Sequence, residues 1–405
     1  MRRLLTALVL AALAAACGDP VSTEPASTAA ADDWERLPDP PLSPRNGAVG
    51  AWTGDEVLVV GGDEWSCPPN ASCEAPGFPP LADGAAYDPR TKTWRSIADA
   101  PVPFAWAETA VVGDTVYFWL PGTGRPGTRP AFLAYDPEKD TWTELPWLTA
   151  PATDAGWFRI AAADARLVAW PGSDEQGERP DWIFEPATGT WAQLPDDPLS
   201  DGFDRELVWA GDRLVLLDRE VVPNPGSERP TLTRAAVLDL ATDTWERLPD
   251  GDVISGGPWF ADGGRIINPT LGTADGGEVN NWGRDYPFGG ILDLAARAWS
   301  PLPDQTDDEY PGAAGVRGAH GARYTGYRGH ILDTVAGEWV AVPALDEPDS
   351  VDGRTVVAAG SDLFVYGGVD WSGGGNSRLL SDAWLWSTGG RPASTAIEAA
   401  PPGPP

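Results

Sequence analysis

The 405-residue sequence is short of positive charge. It has 28 Lys and Arg residues against 60 Asp and Glu residues, which gives a formal net charge of −32 at pH 7. A chain this acidic repels the phosphates of nucleic acids, and it offers no basic patch for an anionic membrane surface. The composition therefore argues against a nucleic-acid-binding protein and against attachment to membranes through basic residues.

Long apolar runs and the common catalytic motifs are missing as well. The apolar run Leu4–Leu13 is shorter than the roughly 20 residues that span a bilayer. No Gly-Lys phosphate loop, H-E-x-x-H motif or G-x-S-x-G motif occurs. The acidic stretch 304–309 lacks the spacing of an EF-hand, so we interpret it as a solvated loop. We therefore expect no cofactor and no metal site.

The first residues have the layout of an export signal. Arg2 and Arg3 precede the apolar run, and small residues follow it up to Cys17. This order is typical of a secretory signal peptide, which we predict over residues 1–16. A cysteine directly after small residues resembles a bacterial lipobox, and the resemblance implies cleavage before Cys17 and a lipid on its sulfur. An ordinary signal peptide that is cut nearby is the alternative.

The segments at both ends of the chain are predicted to be unstructured. Residues 17–31 are small and polar and include prolines, so we interpret them as a flexible linker between the lipid and the folded domain. The tail at 389–405 lacks an apolar stretch and is predicted to be disordered. We expect an exported protein on the outer face of a bacterial cytoplasmic membrane or cell envelope, attached by its lipid alone.

Cysteine is scarce, with three residues in the whole chain. If Cys17 carries a lipid, Cys67 and Cys73 remain, in the Pro-rich loop CPPNASC. Two cysteines left in an exported chain favour a disulfide. A metal-binding pair is the alternative, but neither histidine lies nearby in the sequence.

Glycine (47), proline (42) and tryptophan (21) are abundant, which indicates many turns and a recurrent need for indole rings. Seven tryptophans recur at intervals of 40 to 60 residues, and an acidic residue stands six positions before each of the last six. Periods in this range are typical of repeat architectures. The repeated tryptophans are Trp34, Trp94, Trp142, Trp191, Trp245, Trp299 and Trp339, and the acids are Asp88, Asp136, Glu185, Asp239, Asp293 and Asp333.

The repeated unit predicts a β-hairpin. An apolar strand leads to the acid, which can accept backbone N–H groups and start a turn, and a second strand begins near the Trp. A ring as large as indole fills the gap between neighbouring sheets. We therefore interpret these acids and tryptophans as structural and not as catalytic residues.

Two further apolar strands precede each hairpin, so each repeat has four strands. The last group lacks its own Trp strand, whereas residues 32–37 form a Trp strand without a group. We therefore predict an all-β propeller of seven four-stranded blades over residues 32–388, with the N-terminal strand closing the last blade. The groups begin near residues 45, 104, 156, 203, 257, 313 and 352.

These repeats resemble the kelch-type propellers of the galactose-oxidase-like superfamily, whose Gly-Gly doublet survives as Gly61-Gly62 and Gly367-Gly368. The resemblance implies the fold, but propellers carry many functions. A copper radical oxidase of this superfamily needs two His, two Tyr and a Cys that is linked to one Tyr. Only His320 and His330 occur here, and no cysteine is free, so we do not expect that chemistry.

Three tryptophans outside the repeat are candidate binding residues. The segments GGDEWS and GGVDWS place Trp65 and Trp371 at matching positions of the first and last blades, so we predict that they project side by side. Trp282 is a third loop aromatic. Such rings suit sugar rings or the apolar anchors of another protein, and the alternative is that each ring caps its own blade. Because the disulfide would hold its loop, we favour Trp65 as the contact residue.

Two groups of arginines are further candidates. Arg129, Arg179 and Arg229 each precede a proline at the close of equivalent loops, where they could bind a carboxylate or pair with local acids. A second group lies near the start of the innermost strands, in the same zone as two glutamates. These residues are Arg159, Arg205, Arg354, Glu108 and Glu206.

Two functions stay open. The first is a binding scaffold for a protein or a glycan at the cell surface, since structural repetition is strong and catalytic signals are weak. The second is an enzyme on acidic sugars resembling the kelch-type sialate epimerases, since arginines beside a glutamate suit that chemistry. Convergence of the second arginine group with a glutamate would favour the enzyme, and ion pairs within the blades would favour the scaffold.

Overall fold

A computed structural model describes most of the predicted propeller. The predicted signal peptide 1–16, the predicted linker with Cys17, the predicted tail at 389–405 and the candidates Arg179 and Trp282 lie outside the described residues. The described residues are 33–68, 71–74, 76–148, 158–173, 180–222, 229–254, 256–270, 286–303, 315–316, 330–334, 337–345, 350–360, 362–372 and 377–387.

Within these ranges the chain is all β, and five four-stranded antiparallel sheets follow one another in chain order. Sheet 1 comprises β2 (Val49–Trp52), β3 (Val57–Val60), β4 (Gly84–Asp88) and β5 (Thr93–Ile97). Sheet 2 comprises β6 (Glu108–Val112), β7 (Thr115–Leu120), β8 (Ala131–Asp136) and β9 (Thr141–Leu145). Sheet 3 comprises β10 (Phe158–Ala163), β11 (Arg166–Pro171), β12 (Trp182–Glu185) and β13 (Thr190–Gln193). Sheet 4 comprises β14 (Gly202–Ala210), β15 (Arg213–Glu220), β16 (Thr233–Asp239) and β17 (Thr244–Arg247). Sheet 5 comprises β18 (Phe260–Asp262), β19 (Arg265–Asn268), β20 (Gly290–Asp293) and β21 (Ala298–Ser300).

The remaining strands form sheets 6 and 7 and one small sheet. Sheet 6 comprises β22 (Gly315–Val316), β23 (His330–Asp333) and β24 (Glu338–Ala341). Sheet 7 has the order β26 (Thr355–Ala359), β27 (Asp362–Tyr366), β30 (Ala383–Ser387) and β1 (Glu35–Arg36). The small sheet comprises β25 (Val351–Asp352), β28 (Val369–Asp370) and β29 (Arg378–Leu379). No apolar helix of membrane-spanning length is present in the described ranges.

The N-terminal strand β1 is the outer strand of sheet 7. It pairs antiparallel with β30, with Glu35 opposite Leu385 and Arg36 opposite Trp384. Sheet 6 departs from the predicted pattern. Its described part has three strands, and β22 pairs with β23 in parallel.

Consecutive sheets pack face to face through apolar side chains. Sheets 1 and 2 share a cluster that contains Leu58 and Phe118, and six further clusters join the other neighbouring sheets in the described part. The cluster between sheet 7 and sheet 1 contains Phe364 and Tyr87, whose ring centroids are 6.1 Å apart. Because a middle strand is covered on both faces, all four residues of β3 are buried.

The predicted hairpins are present, and their turns are alike. The Asp88 carboxylate accepts the Arg90 N–H at 2.8 Å, and the Asp136 carboxylate accepts the Lys139 N–H at 3.0 Å. In all six hairpins the residue two positions before the Trp has a positive φ, which reverses the chain between the strands. These residues are Lys92, Asp140, Gly189, Asp243, Arg297 and Gly337.

Each repeat Trp donates its indole N–H to a backbone carbonyl of the preceding repeat, at 2.7–2.9 Å. The acceptor lies four residues after the preceding Trp. Trp34, the first in the chain, donates to Pro343, four residues after Trp339. The other donor and acceptor pairs are Trp94 and Pro38, Trp142 and Ala98, Trp191 and Pro146, Trp245 and Pro195, Trp299 and Pro249, and Trp339 and Pro303.

Candidate binding site

The first strands of neighbouring sheets lie side by side, in the order β26, β2, β6, β10, β14 and β18. The residues at which these strands begin therefore come together at one end of the sheets. We call this region the mouth, and it comprises Gly47, Trp106, Glu108, Arg159, Glu206 and Gly353.

Trp106 is the most exposed aromatic residue of the mouth. Its side chain is 65% exposed, and its φ is +58°, a left-handed conformation that is rare for a bulky residue. Its N–H donates to the Gly47 carbonyl at 3.0 Å, and the Gly47 N–H donates to the Gly353 carbonyl at 3.0 Å. These two bonds link the starts of sheets 2, 1 and 7.

The Trp106 indole lies directly on the backbone of Gly47. A Cβ atom at Gly47 would lie 2.4 Å from Cε2 of the indole, and one at Gly353 would lie 3.4 Å from its outer edge. Glycine is therefore needed beneath the ring, because any side chain at Gly47 would push it away. The arrangement leaves one wide ring surface towards solvent.

Glu206 is the buried acid of the mouth. Its pKa is raised from the usual 4.5 to about 7, chiefly by burial; the charges of Glu108 and Asp204 contribute to the rise, and the Trp259 N–H and the charge of Arg159 act against it. Its Oε1 accepts the Trp259 N–H at 3.4 Å. Its Oε2 is buried and has no hydrogen-bond partner among the described residues.

Arg159 and Glu108 supply the accessible charges of the mouth. Arg159 is exposed between the buried residues Phe158 and Ile160 of β10, as the alternation of a strand requires. Glu108 is exposed at the start of β6, two residues after Trp106. Both act on the charge of Glu206, so the three side chains share one electrostatic environment.

The structure separates Arg205 and Arg354 from this group. The Arg205 guanidinium, whose side chain is 2% exposed, donates to both Asp181 oxygens at 2.9 and 3.0 Å and to Asp197 at 2.9 Å. Arg354 pairs with Asp382 at 3.4 Å. Of the three arginines singled out in the sequence, Arg159 therefore acts on the charge of Glu206, and the other two form ion pairs at the sheets.

Trp65 and Trp371 lie in adjoining loops, and both are half-buried. The Ser66 and Ser377 hydroxyls are 3.1 Å apart, which joins the two loops. The Trp65 carbonyl accepts from the Asn46 side chain at 3.2 Å, and the Trp371 N–H donates to Ser350. The disulfide between Cys67 and Cys73 is confirmed, with Cα atoms 5.9 Å apart.

The loop arginines in the described ranges pair with nearby acids. Arg129 makes two 2.6 Å bonds to Glu144, and Arg229 makes one 2.6 Å bond to Glu220. Each arginine lowers the pKa of its partner carboxyl through that hydrogen bond. This arrangement corresponds to the local-pairing alternative for these loops.

Arg125 is a loop residue that the sequence analysis missed. It pairs with Asp63, donates to the Phe78 carbonyl at 3.0 Å, and lies over the Phe78 ring at 5.6 Å. It therefore ties the long loop of sheet 2 to that of sheet 1. Its signal in the sequence was a second arginine in the segment PGTGRPGTRP, four residues before Arg129.

No family model matches the chain, and no curated protein matches it. The mouth offers a flat aromatic surface, an accessible guanidinium and two carboxyl groups, of which Glu108 is exposed and Glu206 is buried. An aromatic surface binds the apolar face of a sugar or an apolar side chain, and the charged groups bind hydroxyls or carboxylates.

Proposed function

We propose that the sheets are the blades of a seven-bladed, kelch-like β-propeller whose ring is closed by the N-terminal strand. The seven indole hydrogen bonds support this, because each joins one repeat to the next and the Trp34 bond joins the first repeat to the last. The packing of sheet 7 on sheet 1 and the pairing of β1 with β30 support it as well. In such a ring the mouth surrounds the central axis.

The propeller acts as a binding scaffold, and its ligand binds at the mouth. Trp106 is the observation that carries this proposal. A bulky residue in the left-handed region costs on the order of 1–3 kcal/mol, and an exposed ring recovers little of that through burial. A ligand that stacks on the ring explains why the strained conformation is kept. The width of the ring and the polar groups beside it favour a glycan over a protein.

The scaffold is exported and held at the cell envelope by a lipid on Cys17. The order of basic, apolar and small residues before Cys17 supports this. Replacement Cys17→Ser is expected to release the protein from the membrane fraction, because a diacylglycerol thioether supplies the two chains that stable anchoring needs. A Ser variant that stays with membranes would contradict the anchor.

A second candidate function rests on Glu206. A carboxyl with a pKa of about 7, next to an arginine, can exchange a proton near neutral pH, as a general acid or base on an acidic sugar must. The ion pairs of Arg205 and Arg354 argue against it, since they remove two of the three arginines from the site. Turnover of an acidic sugar that is lost in Glu206→Gln would favour the enzyme.

The test is a glycan array with the exported protein, followed by the affinity of any bound glycan for two variants. Trp106→Ala is expected to weaken binding about 10- to 100-fold, because one stacked ring is worth roughly 1–3 kcal/mol. Phe78→Ala is the control, since this ring is 48% exposed but belongs to a loop outside the mouth. Equal affinities for Trp106→Ala and the wild type would overturn the mouth as the site.

A third variant separates the mouth from the neighbouring loops. Trp65→Ala tests the ring that the sequence analysis favoured. If Trp65→Ala abolishes binding and Trp106→Ala does not, the binding face lies on the disulfide-linked loop and not at the mouth.

A further inference from the structure

Side chains of neighbouring sheets meet beside the hairpin turns, and between sheets 1 and 2 a long side chain occupies this place. Arg95, which follows the repeat Trp of sheet 1, donates to both Glu56 oxygens at 3.0 and 2.6 Å. Asp140 accepts the Tyr135 hydroxyl at 2.7 Å and the Ala98 N–H at 2.8 Å. The three charged side chains at this place therefore all have partners within the protein.

The same place between sheets 3 and 4 is occupied differently. The strand registers put Ala192, Arg166 and Asp243 at the positions of the arginine, the glutamate and the aspartate, respectively. Pro195 replaces the N–H donor, and Leu238 replaces the hydroxyl donor. Proline has no N–H, and leucine has no polar group. The long side chain and both donors to the aspartate are therefore missing here.

A cavity of about 500 Å³ lies at this place. Its polar lining consists of Arg166, Gln193, Asp196 and Asp243, and Leu240 is one of its apolar residues. The side chains of Arg166, Asp196 and Asp243 form no hydrogen bond or ion pair within the part of the chain that the structure describes. In a chain with 60 acidic and 28 basic residues, an arginine without an acidic partner requires an explanation.

The next interface, between sheets 4 and 5, has charges at the same positions but pairs them. Arg213 stands at the glutamate position and pairs with Asp239 at 3.2 Å. Glu246 stands at the arginine position and pairs with Arg297. The interface of sheets 3 and 4 differs because Ala192 has no side chain that could reach a partner, so its charges face a cavity instead.

We propose that this cavity binds a basic α-amino acid, with its α-carboxylate on Arg166 and its side-chain ammonium on Asp243 and Asp196. A guanidinium offers paired N–H donors that match a carboxylate, and the two aspartates accept hydrogen bonds from an ammonium. The methylene groups of the ligand lie against Ile183 and Leu240. A basic amino acid carries one net positive charge, which complements the one arginine and two aspartates of the lining.

This site is separate from the mouth, and it does not depend on the proposed glycan function. Arg159 lies at the mouth end of β10, whereas Arg166 follows the turn at the other end of that strand. Gln193 is the last residue of β13, the outer strand of sheet 3. The cavity therefore opens on the outer part of the interface, away from Trp106 and Glu206.

The test is isothermal titration of the protein with L-lysine, L-norleucine and cadaverine. L-Norleucine lacks the side-chain ammonium, and cadaverine lacks the carboxylate. L-Lysine is expected to bind at least about fivefold more tightly than either, which corresponds to about 1 kcal/mol. Because cadaverine carries the larger positive charge, equal or tighter binding of cadaverine would indicate general attraction to an acidic surface and would overturn the proposal. Absence of L-lysine binding at about 10 mM would overturn it too.

Two charge variants locate the binding. Arg166→Gln and Asp243→Asn remove one charge each, and asparagine tolerates the φ of +53° at position 243. Each variant is expected to weaken L-lysine binding about fivefold or more. Arg213→Gln is the matched control, because Arg213 holds the same position in sheet 4, where it is paired. Wild-type affinity in Arg166→Gln, or an equal loss in Arg213→Gln, would refute the site.

A third variant fills the cavity without changing its charges. Ala192→Leu places an apolar side chain where the ligand would lie, so we expect it to abolish L-lysine binding. Thr143→Leu is the control, because Thr143 follows the repeat Trp of sheet 2 as Ala192 follows that of sheet 3. Both residues are exposed, so neither change should disturb folding. Unchanged L-lysine affinity in Ala192→Leu would show that the ligand binds elsewhere.

Discussion

The two ends of the sheets are built differently. At the hairpin end, seven tryptophans make the same bond to the preceding repeat, and six turns have a residue of positive φ at the same position. At the mouth, the described contacts differ from one another: Trp106 lies on Gly47, Arg159 is exposed on β10, and Glu206 has a buried oxygen without a hydrogen-bond partner among the described residues. Because the hairpin end holds the sheets together, the residues at the mouth can differ from sheet to sheet.

The buried ion pair between sheets 3 and 4 is expected to contribute the largest single effect. Asp181→Ala removes a carboxylate that accepts two hydrogen bonds from the buried Arg205 guanidinium, so we expect a loss of roughly 3–5 kcal/mol in the free energy of unfolding. Urea denaturation measures this loss. A loss below about 1 kcal/mol would mean that water reaches the Arg205 guanidinium and that this ion pair does not hold the two sheets together.

The hairpin end is tested by Trp142→Ala. The ring packs against Phe118 and Tyr135, with centroids 5.2 and 4.8 Å away, and its N–H donates to the Ala98 carbonyl. We expect a loss of about 3 kcal/mol, with Trp142→Phe losing less because it keeps the ring. Trp106→Ala should leave the melting temperature nearly unchanged. If Trp142→Ala and Trp106→Ala have the same melting temperature, the two ends do not differ in what they contribute to stability.

Glu206 makes the stability of the mouth depend on pH. Its folded pKa of about 7 lies above its unfolded value near 4.5, so its contribution to stability is complete below pH 4.5 and is lost as the pH rises through 7. Glu206→Gln removes this dependence. We expect the variant to match the wild type at pH 4.5 and to exceed it by roughly 3 kcal/mol at pH 8.

Glu220→Gln is the control for this dependence, and its sign is opposite. Arg229 lowers the pKa of Glu220, so that carboxylate stabilises the fold at high pH and loses its contribution as the pH falls. Melting curves that extend from well below pH 4.5 up to pH 8 measure both variants. If the melting temperature of Glu206→Gln changes with pH in the same way as that of the wild type, the Glu206 carboxyl is solvated in the folded protein.

The exposed loop pairs are expected to have the smallest effect. Arg129→Gln breaks a pair whose two side chains are each 48% exposed, so we expect a loss of less than about 1 kcal/mol, which decreases with added salt. Denaturation at low and high salt measures it. A loss comparable to that of Asp181→Ala would mean that the pair of Arg129 and Glu144 is a structural contact of the fold.

Much of the hairpin end could be predicted from residue spacing. The acid, the turn and the Trp lie within seven residues of one another, so their geometry follows from local turn chemistry and from strand alternation. The disulfide was predictable for the same reason, since Cys67 and Cys73 are close in the chain. Sheet 6 and the small sheet were not predicted in their observed form, because their pairings join distant segments.

By itself, the sequence determined the all-β class, the repeat of the hairpins and the disulfide, because each depends on residues that are near in the chain. Only the tertiary structure decided the sites. Arg159, Arg205 and Arg354 look equivalent in the sequence, yet Arg159 is exposed and acts on the charge of Glu206, whereas Arg205 and Arg354 are buried in ion pairs with aspartates. Their different environments come from the neighbouring sheets, whose contacts join residues that are far apart in the chain.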